Sequence, residues 1–222
     1  MKFRIIVLIM AIAALSIPAS ADVASLVFSI PGGIVIPMPA ANYFGPGPQT
    51  FSGVTWTSTN TANQGGSVFG YTGGYGFLDN GIWTGDLGPM AGLNDSTGTM
   101  TFTLATPVAG IGGFLNYACD EPGCTNPTHP TIAVYDASNN LLGSALLTFS
   151  TPDESAGVNQ GLFMGFLAPS AEIKRFTLTD NFIGITDLTM TTTASVPEPA
   201  GVLLLVSMLF GVGLMAGLRK RV

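Results

Sequence analysis

The chain has 222 residues, 47% of them hydrophobic and only 9% charged, with 7 Lys and Arg against 13 Asp and Glu and a formal net charge of −6. Five of the seven cations lie in the first four and last four residues, so residues 22–195 hold only Lys174 and Arg175 against twelve acids, a balance of −10. Such a surface repels phosphate backbones, which excludes nucleic acid as a partner, and the stretch has a length suited to one domain.

Residues 1–21 read as a secretory signal peptide. Lys2 and Arg4 supply a positive start, residues 5–15 are an uncharged apolar run too short to span a bilayer comfortably, and Ala19-Ser20-Ala21 is a small-x-small cleavage site with Ala19 and Ala21 as the small residues. Export then places the chain after Asp22 outside the cytoplasm. Beyond it, residues 23–36 are apolar and β-branched around Pro31-Gly32-Gly33, which predicts two short strands about a turn. Residues 37–50 hold four prolines and read as an irregular loop. Residues 53–59 predict a strand with Val54 and Trp56 on one face.

In residues 66–88, glycine recurs among Phe69, Tyr71, Tyr75, Phe77 and Trp83, with Asp79, Asn80 and Asp86 close by. Glycine lets the backbone turn tightly there, and the rings either pack on a sheet or stand exposed. Residues 99–104 alternate strictly, placing Met100, Phe102 and Leu104 toward a core. Residues 108–117 form a further strand whose glycines mark bulges or close packing. Residues 131–136 and 141–149 predict a hairpin about Ala137-Ser138-Asn139. Residues 161–167 are almost continuously apolar, as in a strand covered on both faces. Residues 173–179 alternate with Phe176 and Leu178 inward, and the pattern slips phase at Thr186-Asp187, which predicts a bulge before Leu188 and Met190. No stretch of residues 22–199 shows a helical period. The expected fold is therefore all-β, a two-sheet antiparallel jelly-roll-like sandwich over residues 22–190.

Cys119 and Cys124 flank Asp-Glu-Pro-Gly, a turn that can bring two thiols together in an oxidising compartment, and a disulfide is expected. So short a loop contributes only about 2 kcal/mol in the loop-entropy picture. A metal site from the two cysteines with His129 and Asp120 is the alternative, against which stands the wider spacing than zinc pairs adopt.

Residues 191–199 are a polar stalk ending in Val196-Pro197-Glu198-Pro199, followed by residues 200–218, apolar and uncharged, and by Arg219-Lys220-Arg221-Val222. As a helix the apolar run would be roughly 28 Å long, close to the ~30 Å of a bilayer core. The cations at 219–221 then stay in the cytoplasm, giving a single span with the N-terminus outside and a tail of residues 219–222 inside. A Pro-Glu-Pro motif, one hydrophobic helix and a basic terminus in this order resemble the PEP-CTERM sorting signal of bacterial exosortase substrates. The resemblance implies that an integral-membrane exosortase recognises Val196, Pro197, Glu198 and Pro199 and cuts nearby. It also implies transient anchoring in the inner membrane of a Gram-negative bacterium, and delivery to the outer surface or medium, in the setting of exopolysaccharide and biofilm. The two prolines keep the motif extended, the form a peptidase cleft grips.

The central block, Gly112-Gly113-Phe114-Leu115-Asn116-Tyr117, Thr131-Ile132-Ala133-Val134-Tyr135-Asp136, Gly165-Phe166 and Phe176-Thr177-Leu178-Thr179-Asp180-Asn181, is similar to the ectodomains that recur among PEP-CTERM proteins. Those look like carbohydrate-binding-type sandwiches.

The sequence holds no G-x-S-x-G, no H-E-x-x-H and no P-loop, its single histidine lies between prolines, and its acids sit beside turn residues or at strand edges, so no catalytic residue is expected. The expected role is a structural or interaction protein of a polysaccharide matrix, with no cofactor. The alternative is a carbohydrate-binding module that stacks sugars on Tyr71, Tyr75 and Trp83. Calcium is a further candidate ion, at Asp79, Asn80 and Asp86 or at Asp136 with Asn139. It takes about six to eight oxygens, and no spacing here matches a calcium loop.

Overall fold

The computed structural model describes residues 24–61, 66–118, 129–149 and 157–193. The leader, both cysteines, the Val-Pro-Glu-Pro motif and the apolar run that follows it all lie outside these residues.

Sixteen strands follow one another among the described residues. The first eight are β1 (Ser25–Val27), β2 (Ile34–Val35), β3 (Tyr43–Phe44), β4 (Gln49–Phe51), β5 (Val54–Ser58), β6 (Ser67–Tyr71), β7 (Tyr75–Gly76) and β8 (Ile82–Trp83). The second eight are β9 (Met90–Leu93), β10 (Thr99–Val108), β11 (Gly110–Asn116), β12 (Thr131–Tyr135), β13 (Leu141–Leu146), β14 (Leu162–Leu167), β15 (Ile173–Thr179) and β16 (Gly184–Thr191). Helical geometry among the described residues is confined to the 3-10 turn Gly85–Leu87. None of their helices is long and apolar enough to cross a membrane.

Sheet 1 runs β1-β14-β11-β16-β9-β6-β3, with β2 paired to the far end of β16, and sheet 2 runs β13-β12-β15-β10-β5-β4. The neighbouring strands in both sheets pair antiparallel. Alternation explains why the sheets face each other. Met100, Phe102 and Leu104 of β10 and Phe176 and Leu178 of β15 are buried, while the residues between them are half-buried threonines and basic side chains. Sheet 1 supplies Phe69, Ala91, Leu93, Ile111, Leu115, Phe166, Ile185 and Leu188 to the same core. Rings interlock across the gap, with Phe69 of sheet 1 at 5.3 Å from Trp56 and 5.2 Å from Phe51 of sheet 2. Burial of this apolar area is the main stabilising term.

The outer face of sheet 2 is a threonine surface, where Thr57, Thr101 and Thr177 stand side by side on adjacent strands. A β-branched side chain with a hydroxyl suits a solvated strand position. Both edges of the sandwich are stitched. Ala24 donates to the Leu142 carbonyl at 2.9 Å on one side; on the other, Gly45 donates to Ser67 and Ser58 to Pro46 as the chain passes from sheet 1 to sheet 2.

The strands expected about Pro31-Gly32-Gly33 are present but do not pair with one another: β1 joins β14 and β2 joins β16. The proline-rich stretch read as loop contains β3 and the start of β4, because Pro37 and Pro39 precede β3 and Pro46 and Pro48 lie between the two strands, none within them. The phase slip at Thr186-Asp187 is a bulge. Gly112 faces Thr189 while Phe114 faces Thr186, and Asp187 takes φ 50°.

Candidate functional site

The outer face of sheet 1 carries a second, smaller core. Val68 and Met90 point outward from β6 and β9, and residues 72–89 fold over them as a flap whose Tyr75, Phe77 and Trp83 complete the cluster. Two glycines make the floor. Gly184 and Gly92 pair across β16 and β9. A Cβ on Gly184 would stand 2.6 Å from the Trp83 ring, and one on Gly92 would stand 2.9 Å from the Met90 methyl. Larger residues there would lift the flap. Phe77 meets Trp83 edge to face at 4.7 Å and lies tilted against Tyr75 at 5.0 Å.

The flap tip is held by a buried asparagine knot. Asn80 donates to the Tyr117 carbonyl at 3.0 Å, and the Asn80 carbonyl accepts from Asn116 at 3.0 Å and from Asn159 at 2.9 Å. A parallel bridge from Ile82 to Val158 adds the strap after residue 157, with Ile82 donating to Gly157 and Asn159 donating back to Ile82. Asn181 donates to the Ala118 carbonyl at 2.9 Å. Satisfied amides of this kind are stabilising when complete, and removing one strands its partner at a cost of about 1–3 kcal/mol. Burial pushes the Tyr117 phenol up to about 12, and its hydroxyl donates to the Phe149 carbonyl.

Beside the flap lies an open cleft of about 270 Å³ lined by Phe44, Val68, Tyr71, Gly74, Tyr75, Gly76 and Asn94. A bulge builds it. Phe69 faces Ala91, but Tyr71 faces Met90, so Gly70 is the extra residue and takes φ 62°. Simple alternation would turn Tyr71 inward like Phe69; the bulge turns it outward to the cleft. Phe44, 43% exposed, meets Tyr71 edge to face at 5.6 Å. Asn42 holds the rim by accepting from the Thr72 amide at 3.0 Å and its hydroxyl at 3.2 Å. Tyr75 closes the back: its hydroxyl donates to the Leu93 carbonyl, and burial raises its pKa well above the ordinary phenol value.

The three rings singled out in the sequence thus part company. Trp83 is 1% exposed and Tyr75 9%, both packed in the flap core, with Tyr75 closing the back of the cleft and Tyr71 standing in it as a half-buried wall. Asn80 is buried in the knot, Asp79 is half-buried at the flap tip and Asp86 is exposed on the 3-10 turn. No group of three or more His, Cys, Asp or Glu side chains placed to hold a metal occurs among the described residues. Asp136 organises its own hairpin turn: it accepts from Ser138 and Asn140 amides at 2.8 Å and from the Asn140 side chain at 2.7 Å, while Asn139 takes φ 69°.

Phe44 and Asn94 were not among the residues that the sequence singled out. Phe44 follows Tyr43 in the middle of the proline-rich stretch, and that aromatic pair is the signal that a strand interrupts it. Asn94 follows the strand Met-Ala-Gly-Leu, too short and glycine-containing to stand out by periodicity. No family model, curated protein or solved structure matches the chain.

Proposed function

We propose that this is an exported, acidic β-sandwich protein that an exosortase-type membrane peptidase sorts to the cell surface, where it serves as a structural or interaction component of an exopolysaccharide matrix. The observation that carries this reading is the order along the chain: a leader ending at Ala21, one sandwich domain, Val196-Pro197-Glu198-Pro199, an apolar run and three cations. The fold is compatible with a tether that is later cut. Ser25, Leu167, Gly110 and Thr191 share one register row of sheet 1, so the leader junction and the stalk depart from the same end of the domain. The inner membrane is then a transient partner, and the matrix the lasting one.

In finer detail we take the sandwich as jelly-roll-like, since its long strands alternate between sheets, β10 in sheet 2, β11 in sheet 1, β12 and β13 in sheet 2, β14 in sheet 1. The reading includes no catalytic role and no cofactor. No carboxylate, histidine, cysteine or lysine lines the cleft. Calcium at Asp79, Asn80 and Asp86 gains no support from an Asn80 amide committed to the Tyr117 carbonyl. The glycan-binding alternative loses two of its three rings, because buried Tyr75 and Trp83 offer no face to stack on.

Mass spectrometry of the mature protein from cells with and without the exosortase tests the sorting reading. The expected product begins at Asp22 and ends at or near Pro199 only when the peptidase is present. Secreted protein that ends well beyond residue 199 contradicts it.

A further inference from the structure

We propose that the uncharged crossover from β1 to β2, with Phe28, Ile34 and Val35 as its exposed apolar side chains, lies on the surface of the bilayer that carries the tether and holds the domain against it until the chain is cut. This rests on the single-span part of the sorting reading; the surface itself is built by the described residues.

No Asp, Glu, Lys, Arg or His occurs from Val23 to Leu78, although residues 22–195 carry a balance of −10. Because β1 pairs with β14 and β2 with β16, residues 28–33 cross over sheet 1 to join them. Glycines let them cross closely. A Cβ on Gly110 of β11 would stand 3.4 Å from the Ile30 Cγ2, and one on Gly33 would stand 2.6 Å from the Thr189 Cγ2. Ile30 is buried by the crossing, while Phe28 is 61% exposed, Ile34 70% and Val35 52%. Ile34 and Phe28 are the two most exposed large apolar side chains among the described residues. Apolar side chains scattered singly over a surface are ordinary; these three fall within eight residues of one uncharged segment.

Position selects the occupant. Ile34 and Val35 pair with Met190 and Thr189, immediately before Thr191 in the row from which the stalk departs, and Ile30 covers Gly110 of that same row. Only residues 194–199 separate Thr193 from the apolar run, a length of chain that reaches at most about 25 Å. So short a tether keeps the crossover at the membrane surface and gives the contact a high effective concentration, so an apolar area too small to bind a free protein suffices. Charged groups on neighbouring elements, Asp187 of β16 and Glu172 and Lys174 between β14 and the body of β15, leave no cationic excess. The fitting surface is therefore zwitterionic lipid rather than anionic lipid. Cutting the chain removes the tether, and the contact goes with it.

Fluorescence quenching of the full chain, reconstituted in phosphatidylcholine vesicles brominated on the acyl chains, tests this. Trp56 and Trp83 are buried in the protein, so the parent chain sets the background and Phe28→Trp adds a reporter on the crossover. Phe44→Trp is the far-end control: Phe44 shares a row with Val68, Gly92 and Gly184, at the other end of β16 and roughly 20 Å from Thr191. Brominated lipid should remove about half of the emission that Phe28→Trp adds and leave that of Phe44→Trp unchanged. Adding Ile34→Asp to Phe28→Trp should restore most of the lost emission. Equal quenching of the two reporters overturns the docking, as does a blue-shifted but unquenched Phe28→Trp emission, which would place a second copy on the crossover. Flotation separates the two readings. A chain that floats with the vesicles but shows no quenching at Phe28→Trp overturns the docking alone, whereas a chain that does not float overturns the span and the docking with it.

Discussion

At the scale of single residues, much of the charge in this domain is spent on turns. The Asp136 carboxylate holds the β12–β13 turn through three bonds, and its pKa lies below the ordinary aspartate value chiefly because of the Asn140 side chain, with the Asn140 and Ser138 amides and the Arg175 charge adding to it. A folded pKa below the unfolded value of about 3.9 means the stability it contributes is present above that pH and is lost as pH falls through the folded pKa. Asp136→Asn should therefore flatten the fall in melting midpoint between about pH 5 and about pH 2. Identical slopes for variant and parent would show that the turn does not depend on the charge. This role was half legible. Asp-Ala-Ser-Asn-Asn between two alternating runs announces a turn, yet the same oxygens read equally as calcium ligands until their partners are known.

Among the elements, the flap of residues 72–89 has its own core and should behave as its own unit. Trp83 is 1% exposed and packs on Phe77, over Gly184 rather than between the two sheets. Trp83→Ala is expected to cost about 3–5 kcal/mol locally. Hydrogen exchange should then quicken at residues 75–83 while β10 and β15 keep their protection. A uniform speeding of exchange across all strands would instead make the flap part of the main core. The sequence shows glycines and rings in this stretch but not their arrangement. Of the floor glycines, Gly184 lies about a hundred residues beyond the rings in the chain, and the bulge at Gly70 breaks the very alternation from which facing is read. By contrast the bulge at Thr186-Asp187 was legible, because apolar residues alternate on both sides of it, Ile183 and Ile185 before and Leu188 and Met190 after, and reveal the change of phase.

For the molecule as a whole, charge is the dominant long-range term. Residues 22–195 hold Lys174 and Arg175 against twelve acids, so the compact state repels itself. Raising ionic strength from about 0.01 M to about 0.15 M shortens the screening length from about 30 Å to about 8 Å. The melting midpoint should rise over that interval and then level off. A midpoint that falls or stays constant would mean that local pairing of the acids outweighs their mutual repulsion.

The sequence alone determined the all-β class, the strands with strict alternation and the faces of Trp56, Phe102 and Phe176, since a period of two with buried apolar residues admits one packing. Which strands pair, how the outer face of sheet 1 is covered, and where Phe44, Tyr71 and Asn94 converge were decided only by the tertiary structure. Those contacts join residues tens of positions apart through glycine floors, bulges and buried amides. Such features leave no periodic trace in the chain, because each is a single residue whose meaning depends on the partner that folding brings to it.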